Sequence, residues 1–177
     1  MGLLFIEFFF SLESLKSKDS MNDLPDITSD TYFMGQALRQ ARKAELQNEV
    51  PVGAVIVRAE EIIARSWNQV ETLKDATAHA EMLAITQAES AVGDWRLFDC
   101  DLYVTKEPCP MCAGAIVNAR LRRVIFGCPD PKTGAAGGMI NILQMPPLNH
   151  QCEITSGIME TECREMLQRF FRARRVP

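Results

Sequence analysis

Apolar residues fall along this chain in two rhythms. In four stretches they recur every three or four positions, and in five short runs they are continuous or alternate, which predicts four helices and five strands. Thr28, Ser29 and Asp30 offer capping side chains. Phe33, Met34, Ala37, Leu38, Ala41 and Ala44 follow at helical spacing with Arg39, Arg42 and Lys43 between them, giving a first helix to about Gln47. After Pro51, residues 52–57 read as a buried strand and 60–66 as its hairpin neighbour, closed by Trp67 and Asn68. A polar loop carrying Asp75 and Thr77 leads to a second helix that opens at His79, runs to Ala91 and breaks at Gly93 and Asp94. Residues 101–105 give a third strand, Cys109 opens a third helix, and 123–127 give a fourth strand. Strand, helix and strand in succession form a βαβ unit, so these two strands should be parallel, with the helices opening at His79 and Cys109 on one face of the sheet.

Residues 129–138 are rich in glycine and read as a flexible surface turn. They are not a phosphate-cradling P-loop, because Lys132 precedes Gly134, Gly137 and Gly138 instead of following them. A short segment to Leu143 and a break at Pro146 and Pro147 lead to a brief last strand, 152–155. The final helix, from 158 to about 174, places Met159, Cys163, Met166, Leu167, Phe170 and Phe171 at core spacing and ends among Arg169, Arg172, Arg174 and Arg175.

A chain of 177 residues, 47% hydrophobic and 24% charged, is long enough for one globular domain with a sizeable core. The apolar stretch from Met1 to Phe10 has no Lys or Arg before it, is interrupted by Glu7, and is far shorter than the ~20 residues that span a membrane. Residues 1–28 therefore read as an N-terminal extension, with Met21 as an alternative start, and 29–177 as the domain. Six cysteines without a disulfide-framework spacing fit a reducing, cytoplasmic setting. A net charge of −4 and a pI near 5.3 argue against non-specific nucleic-acid binding, while the arginines of the last helix form a candidate local basic patch.

Two short pieces carry chemistry: Thr77-Ala78-His79-Ala80-Glu81 and Pro108-Cys109-Pro110-Met111-Cys112. Each lies at a predicted helix start. Pro110 suits the first helical position, which makes Cys109 the cap and sets Cys112 three residues on, on the same face. The partial positive charge at a helix N-terminus favours the thiolates that a metal needs. A catalytic Zn²⁺ takes three protein ligands and keeps a fourth position for water, and His79, Cys109 and Cys112 supply that set. Glu81 is read as a proton shuttle, not a ligand. By itself the cysteine pair suits equally a redox dithiol or half of a closed structural site completed by Cys100 or Cys128. The His-x-Glu piece decides between them, because a structural site has no use for a neighbouring carboxylate and the combination is the zinc-deaminase signature. His150, the only other histidine, lies in a polar stretch and is not assigned to the metal. Ala113, Gly114 and Ala115 are small enough to let the two helices pack closely around the ion.

From about Asp30 to Arg175 the chain resembles the bacterial tRNA adenosine deaminases, which convert the wobble adenosine of an anticodon to inosine. The resemblance is carried by Glu49-Val50-Pro51-Val52-Gly53-Ala54-Val55, by Trp67-Asn68, by the two zinc motifs, by Phe126-Gly127 with Asp130-Pro131-Lys132-Thr133-Gly134-Ala135-Ala136-Gly137, and by Phe170-Phe171-Arg172-Ala173-Arg174-Arg175. The zinc motifs are shared with cytidine-deaminase-like enzymes at large; the last two pieces are the more specific. The resemblance implies a three-layer α/β/α sandwich with a mixed five-stranded sheet, a homodimer, one Zn²⁺ per subunit and a tRNA anticodon stem-loop as partner. It implies hydrolytic attack on C6 of adenine with Glu81 moving the protons, Asn68 hydrogen-bonding the flipped base, and Asp130 and Lys132 on the anticodon-loop side. Arg172, Arg174 and Arg175 would meet the RNA phosphates. Lys106 and Pro129 depart from the pattern, an apolar residue being more usual at the first and a basic or small one at the second. Two rivals share the motifs. A deaminase of a free base or nucleotide (guanine, cytosine, deoxycytidine monophosphate) would not need the basic helix end, and a non-catalytic zinc-binding partner subunit would not need Glu81.

Overall fold

Ser29 caps the first helix: its hydroxyl accepts a hydrogen bond from the Tyr32 N–H at 3.2 Å at the start of α1 (Asp30–Leu46), which buries Phe33, Met34, Ala37, Leu38, Ala41 and Ala44. The computed structural model describes residues 26–175, and the expected extension over 1–28 lies outside the described residues except for its last three positions. The hairpin of β1 (Gly53–Arg58) and β2 (Glu61–Trp67) turns at Ala59 and Glu60, both at positive φ, as a tight turn between right-twisted strands requires. A one-turn helix, α2 (Val70–Leu73), interrupts what reads in the sequence as a plain polar loop. There follow α3 (Ala80–Val92), β3 (Cys100–Lys106), α4 (Pro110–Asn118), β4 (Arg123–Cys128), β5 (Glu153–Ser156) and α5 (Glu160–Arg174).

The five strands form one sheet in the order β2-β1-β3-β4-β5, antiparallel from β2 to β3 and parallel from β3 to β5. The alternation of side chains in a strand sorts the core into two halves. Ala54, Ile56, Leu102, Val104, Val124 and Phe126 pack with residues of α3 and α4, while Val55, Val57, Tyr103 and Ile125 pack with α1 and α5. The result is the expected three-layer sandwich, with the helices that open at His79 and Cys109 sharing one face. Gly127 lets α5 lie directly on β4, since a Cβ there would overlap the Cys163 side chain.

The last helix differs from its sequence pattern in two respects. It starts at Glu160, because Met159 adopts a left-handed backbone (φ 53°) that cannot continue a helix. Phe171, expected in the core, is 44% exposed: Cys163, Met166, Leu167 and Phe170 complete the buried stripe, and the next position lies about 100° further round the helix.

Candidate metal centre and its surroundings

His79 and Cys109 are the caps of α3 and α4. Both take extended backbone conformations, and neither side chain caps its own helix, so the imidazole and the thiol are free to face each other. Pro110 occupies the first helical position, and Cys112, fully buried, comes round one turn later. Cys109 Sγ lies 3.6 Å from Cys112 Sγ and 3.7 Å from His79 Nδ1, and Cys112 Sγ lies 3.5 Å from the same nitrogen. Tetrahedral zinc with ordinary bond lengths would set two sulfurs about 3.8 Å apart and a sulfur and a nitrogen about 3.6 Å apart. The triangle therefore fits a tetrahedral ion of that size with little adjustment. Among the described residues this is the one group of three or more potential ligands that converges in this way.

The electrostatics of the triangle suit a cation. Contact with Cys112, opposed by burial and reinforced by His79, pulls the Cys109 thiol down to about 3, whereas Cys112, against Cys109 and deeply buried, is pushed up. Two sulfurs this close give up a first proton readily and a second only when positive charge arrives between them. His79 is raised by its contact with Cys109. Glu81, in the first turn of α3, is only 4% exposed, and burial pushes its carboxyl up, with His79 pulling the other way. A buried carboxyl with a raised pKa beside a candidate metal set is suited to taking and returning protons.

Asn68, at the end of β2, is 7% exposed, and the chain around it is fastened to the start of α3. The Ser66 hydroxyl donates to Ala80 O (2.5 Å), and Gln69 N donates to Ala78 O (3.0 Å). Its side chain meets a residue whose role the sequence does not disclose. Glu49 is fully buried, and its carboxylate receives Asn68 Nδ2 (3.2 Å), Glu71 N (3.2 Å), Thr72 N (2.7 Å) and Thr72 Oγ1 (2.8 Å), which holds α2 in place. The visible signals are its place at the head of the Glu49–Val55 stretch that carries the resemblance and directly before the apolar run at Val50.

Residues 129–138, expected as a flexible turn, are pinned. Glu107, 2% exposed, accepts from the backbone amides of Asp130 (2.7 Å), Ala136 (2.9 Å) and Gly138 (2.8 Å), and Ala135 N donates to Pro108 O (2.8 Å), next to Cys109. Gly134 and Gly138 are needed there because a Cβ at either would overlap the Glu107 carboxylate. Lys106, the last residue of β3, reaches the same loop, its ammonium 2.5 Å from Asp130 Oδ2. Asp130 also accepts from Lys132 N (2.9 Å), Thr133 N (3.2 Å) and Thr133 Oγ1 (2.5 Å), so its carboxylate shapes the turn that carries Lys132. Lys106, which departs from the expected pattern, is thus the partner of Asp130.

The basic end of α5 divides into two pairs. Arg169 forms a bidentate pair with Glu45 of α1 (3.0 Å), and Arg174 donates to Asn48 O and lies 4.3 Å over the Phe170 ring. Arg172 and Arg175 instead line an open cleft of about 430 Å³ together with Lys106, Asp130, Arg164 and Phe171. The cleft lies where the ends of β3 and β4 and the start of the following loop meet α5. His150 Nε2 donates to Leu121 O (2.7 Å), away from the candidate metal residues.

Comparison with known proteins agrees with this geometry. A family described as MafB19-like deaminase matches residues 28–175. The chain is 52% identical over 146 residues to a tRNA-specific adenosine deaminase of Bacillus subtilis, covering 82% of this chain and 91% of that one. A solved structure from a study of A-to-I editing by tRNA:A34 deaminases at the wobble position of transfer RNA superposes with a TM-score of 0.75 at 47% identity, covering 77% of this chain and 99% of that one. A guanine deaminase from Bacillus subtilis is 41% identical with a TM-score of 0.55, over 57% of this chain and 65% of that one.

Proposed function

The chain belongs to the tRNA-specific adenosine deaminases, and on that premise we propose that it converts the wobble adenosine of a tRNA anticodon to inosine, using one Zn²⁺ per subunit held by His79, Cys109 and Cys112. The observation that carries the reading is the triangle of Nδ1 and two Sγ atoms with the buried Glu81 carboxyl beside it. Zinc in such a set supplies a Lewis acid that brings the pKa of water towards ~7. Glu81 accepts one proton from the water that adds to C6 of adenine and delivers it to N1, then accepts the second from the hydroxyl now on C6 and delivers it to the departing amine, so that ammonia and inosine leave. His79 and Cys109, set on helix caps, and Cys112, in the first turn of α4, already converge for this. A loop nucleotide is already partly unstacked, which lowers the cost of bringing its base to the site.

On the substrate side, Asn68 contacts the target nucleoside, Lys132 and the turn shaped by Asp130 face the anticodon loop, and Arg172 and Arg175 meet its phosphates. Arg174 is withdrawn from that group, since its guanidinium is engaged by Asn48 and Phe170. Met139, Ile140 and Met145, each exposed by 39% or more, support a homodimer. A reducing, cytoplasmic setting belongs to the same proposal, and six cysteines without a disulfide support it. No helix among the described residues is long and apolar enough to cross a membrane.

The test is incubation of the purified protein with a tRNA transcript carrying adenosine at the wobble position, with inosine as the expected product. The similarity to a guanine deaminase supports free guanine as the second reading, and parallel assays on guanine, cytosine and free adenosine separate the two. Turnover of guanine without inosine in the tRNA would replace the first reading with the second.

A further inference from the structure

The mechanism gives no task to Glu49, although it is a buried carboxylate that touches a residue of the substrate side. We propose that Glu49 is a positioning residue that fixes the polarity of the Asn68 amide, so that Asn68 presents Oδ1 to the target nucleoside and accepts a hydrogen bond from it. The inference rests on the deaminase reading above.

An ionised carboxylate has only acceptors. Every group that Glu49 meets is a donor: Thr72 N, Thr72 Oγ1, Glu71 N and Asn68 Nδ2. Burial pushes its carboxyl up, but the bonds from Thr72, Glu71 and Asn68 outweigh burial and leave it below its ordinary value. Turning the Asn68 amide over would set Oδ1 against Glu49 Oε2, lone pair against lone pair in a place without solvent, and would leave Nδ2 unpaired. The backbone gives no slack for an escape, because Asn68 N is bound to Val52 O at 3.0 Å. Among the described residues Oδ1 has no hydrogen-bond partner within the protein. Its partner on a ligand must therefore be a donor. An adenosine inside an RNA chain has two donors, the exocyclic amine and the ribose 2′-hydroxyl.

The test is a polarity swap read on zinc-loaded protein with the tRNA substrate. Glu49→Gln turns an NH₂ group towards Asn68 and favours the reversed amide, so kcat/KM should fall at least about tenfold with zinc content retained. Asn68→Asp alone sets two carboxylates against each other and should fall as far. The double variant Glu49→Gln/Asn68→Asp restores a donor facing an acceptor and offers a free carboxylate oxygen to the substrate, so it should recover most of the loss. A merely structural Glu49 would give a double variant no better than the worse single, and that result, or full activity of Glu49→Gln, overturns the proposal. A substrate with a 2′-deoxy target nucleotide names the donor: the penalty of Glu49→Gln disappears if it is the hydroxyl and persists if it is the amine. If a variant fails to fold, proton exchange in the unaltered, ligand-free protein decides. One Asn68 side-chain amide proton should be protected, and free exchange of both refutes the arrangement. Failure of the unaltered protein to edit tRNA would count against the proposed function, and the exchange measurement would still report on Glu49.

Discussion

The division of the α5 arginines predicts which of them RNA feels. Arg172 and Arg175 line the cleft and form no ion pair among the described residues, whereas Arg169 and Arg174 are held by Glu45 and Asn48. Replacing Arg172 and Arg175 together with Ala removes two phosphate contacts, each worth about 0.7 in the slope of log K against log salt for single-stranded nucleic acid. The slope should flatten by about 1.4, so between about 50 and 200 mM salt the parent protein should lose about sevenfold more affinity than the variant. The assay is fluorescence anisotropy of a labelled anticodon stem-loop, measured in a Glu81→Gln background so that the base is not turned over. The matching variant, Arg169→Ala with Arg174→Ala, should lower the melting temperature, because it unties α5 from α1, and should leave the slope unchanged. Equal slopes for the parent and the Arg172/Arg175 variant, or a larger change in the Arg169/Arg174 variant, would refute the assignment of cleft and clamp.

Other outcomes follow from the same geometry. Glu81→Gln should keep one zinc per chain while losing deamination by about 10² to 10⁴, and zinc-free protein on elemental analysis would contradict the separation of ligand from shuttle. His79→Ala, Cys109→Ala and Cys112→Ala should each abolish stoichiometric zinc under the same analysis. Asp30 accepts from Tyr103 Oη (2.8 Å) and from Arg123 (2.5 and 3.1 Å); burial pushes its carboxyl up, but these bonds prevail and hold it below its ordinary value. Its stabilisation is thus present above the unfolded value of ~3.9 and lost as pH falls through the lower folded one. Asp30→Asn should therefore melt below the parent at neutral pH, with the gap closing in acid; a gap independent of pH would show that the pairing is not electrostatic. Deleting residues 1–22 should leave melting temperature and deamination rate nearly unchanged, and a large loss of either would move the domain boundary.

What could be read from the sequence is what depends on neighbours. The spacing of Phe33, Met34, Ala37, Leu38 and Ala41 fixes a buried helix stripe, and Cys109, Pro110 and Cys112 lie within one turn, so their convergence follows from helix geometry alone. The βαβ rule then brings His79 to the same face of the sheet. What was hidden depends on partners far along the chain. Glu49 acts on residues 19 to 23 positions away, Glu107 on residues 23 to 31 away, and Arg169 and Arg174 find α1 and the turn after it across 124 and 126 positions. No periodicity reports such contacts, and a glycine-rich run looks flexible until the carboxylate at its centre is seen. α2 is too short, at four residues, to show a period at all.

The carboxylate of Glu107 occupies a position that a foreign anion would otherwise take. Backbone amides of Asp130, Ala136 and Gly138 converge on it, and a concavity of inward-pointing N–H groups is the sort of nest that captures phosphate in other proteins. Here the nest is filled from within by a side chain at the end of β3. The loop carries its own counter-anion, and those amides are closed to the phosphates of any nucleic acid that passes. Attraction for a phosphodiester backbone has to come from cationic side chains instead, which is a reason for an acidic protein to keep arginines bare at the end of its last helix.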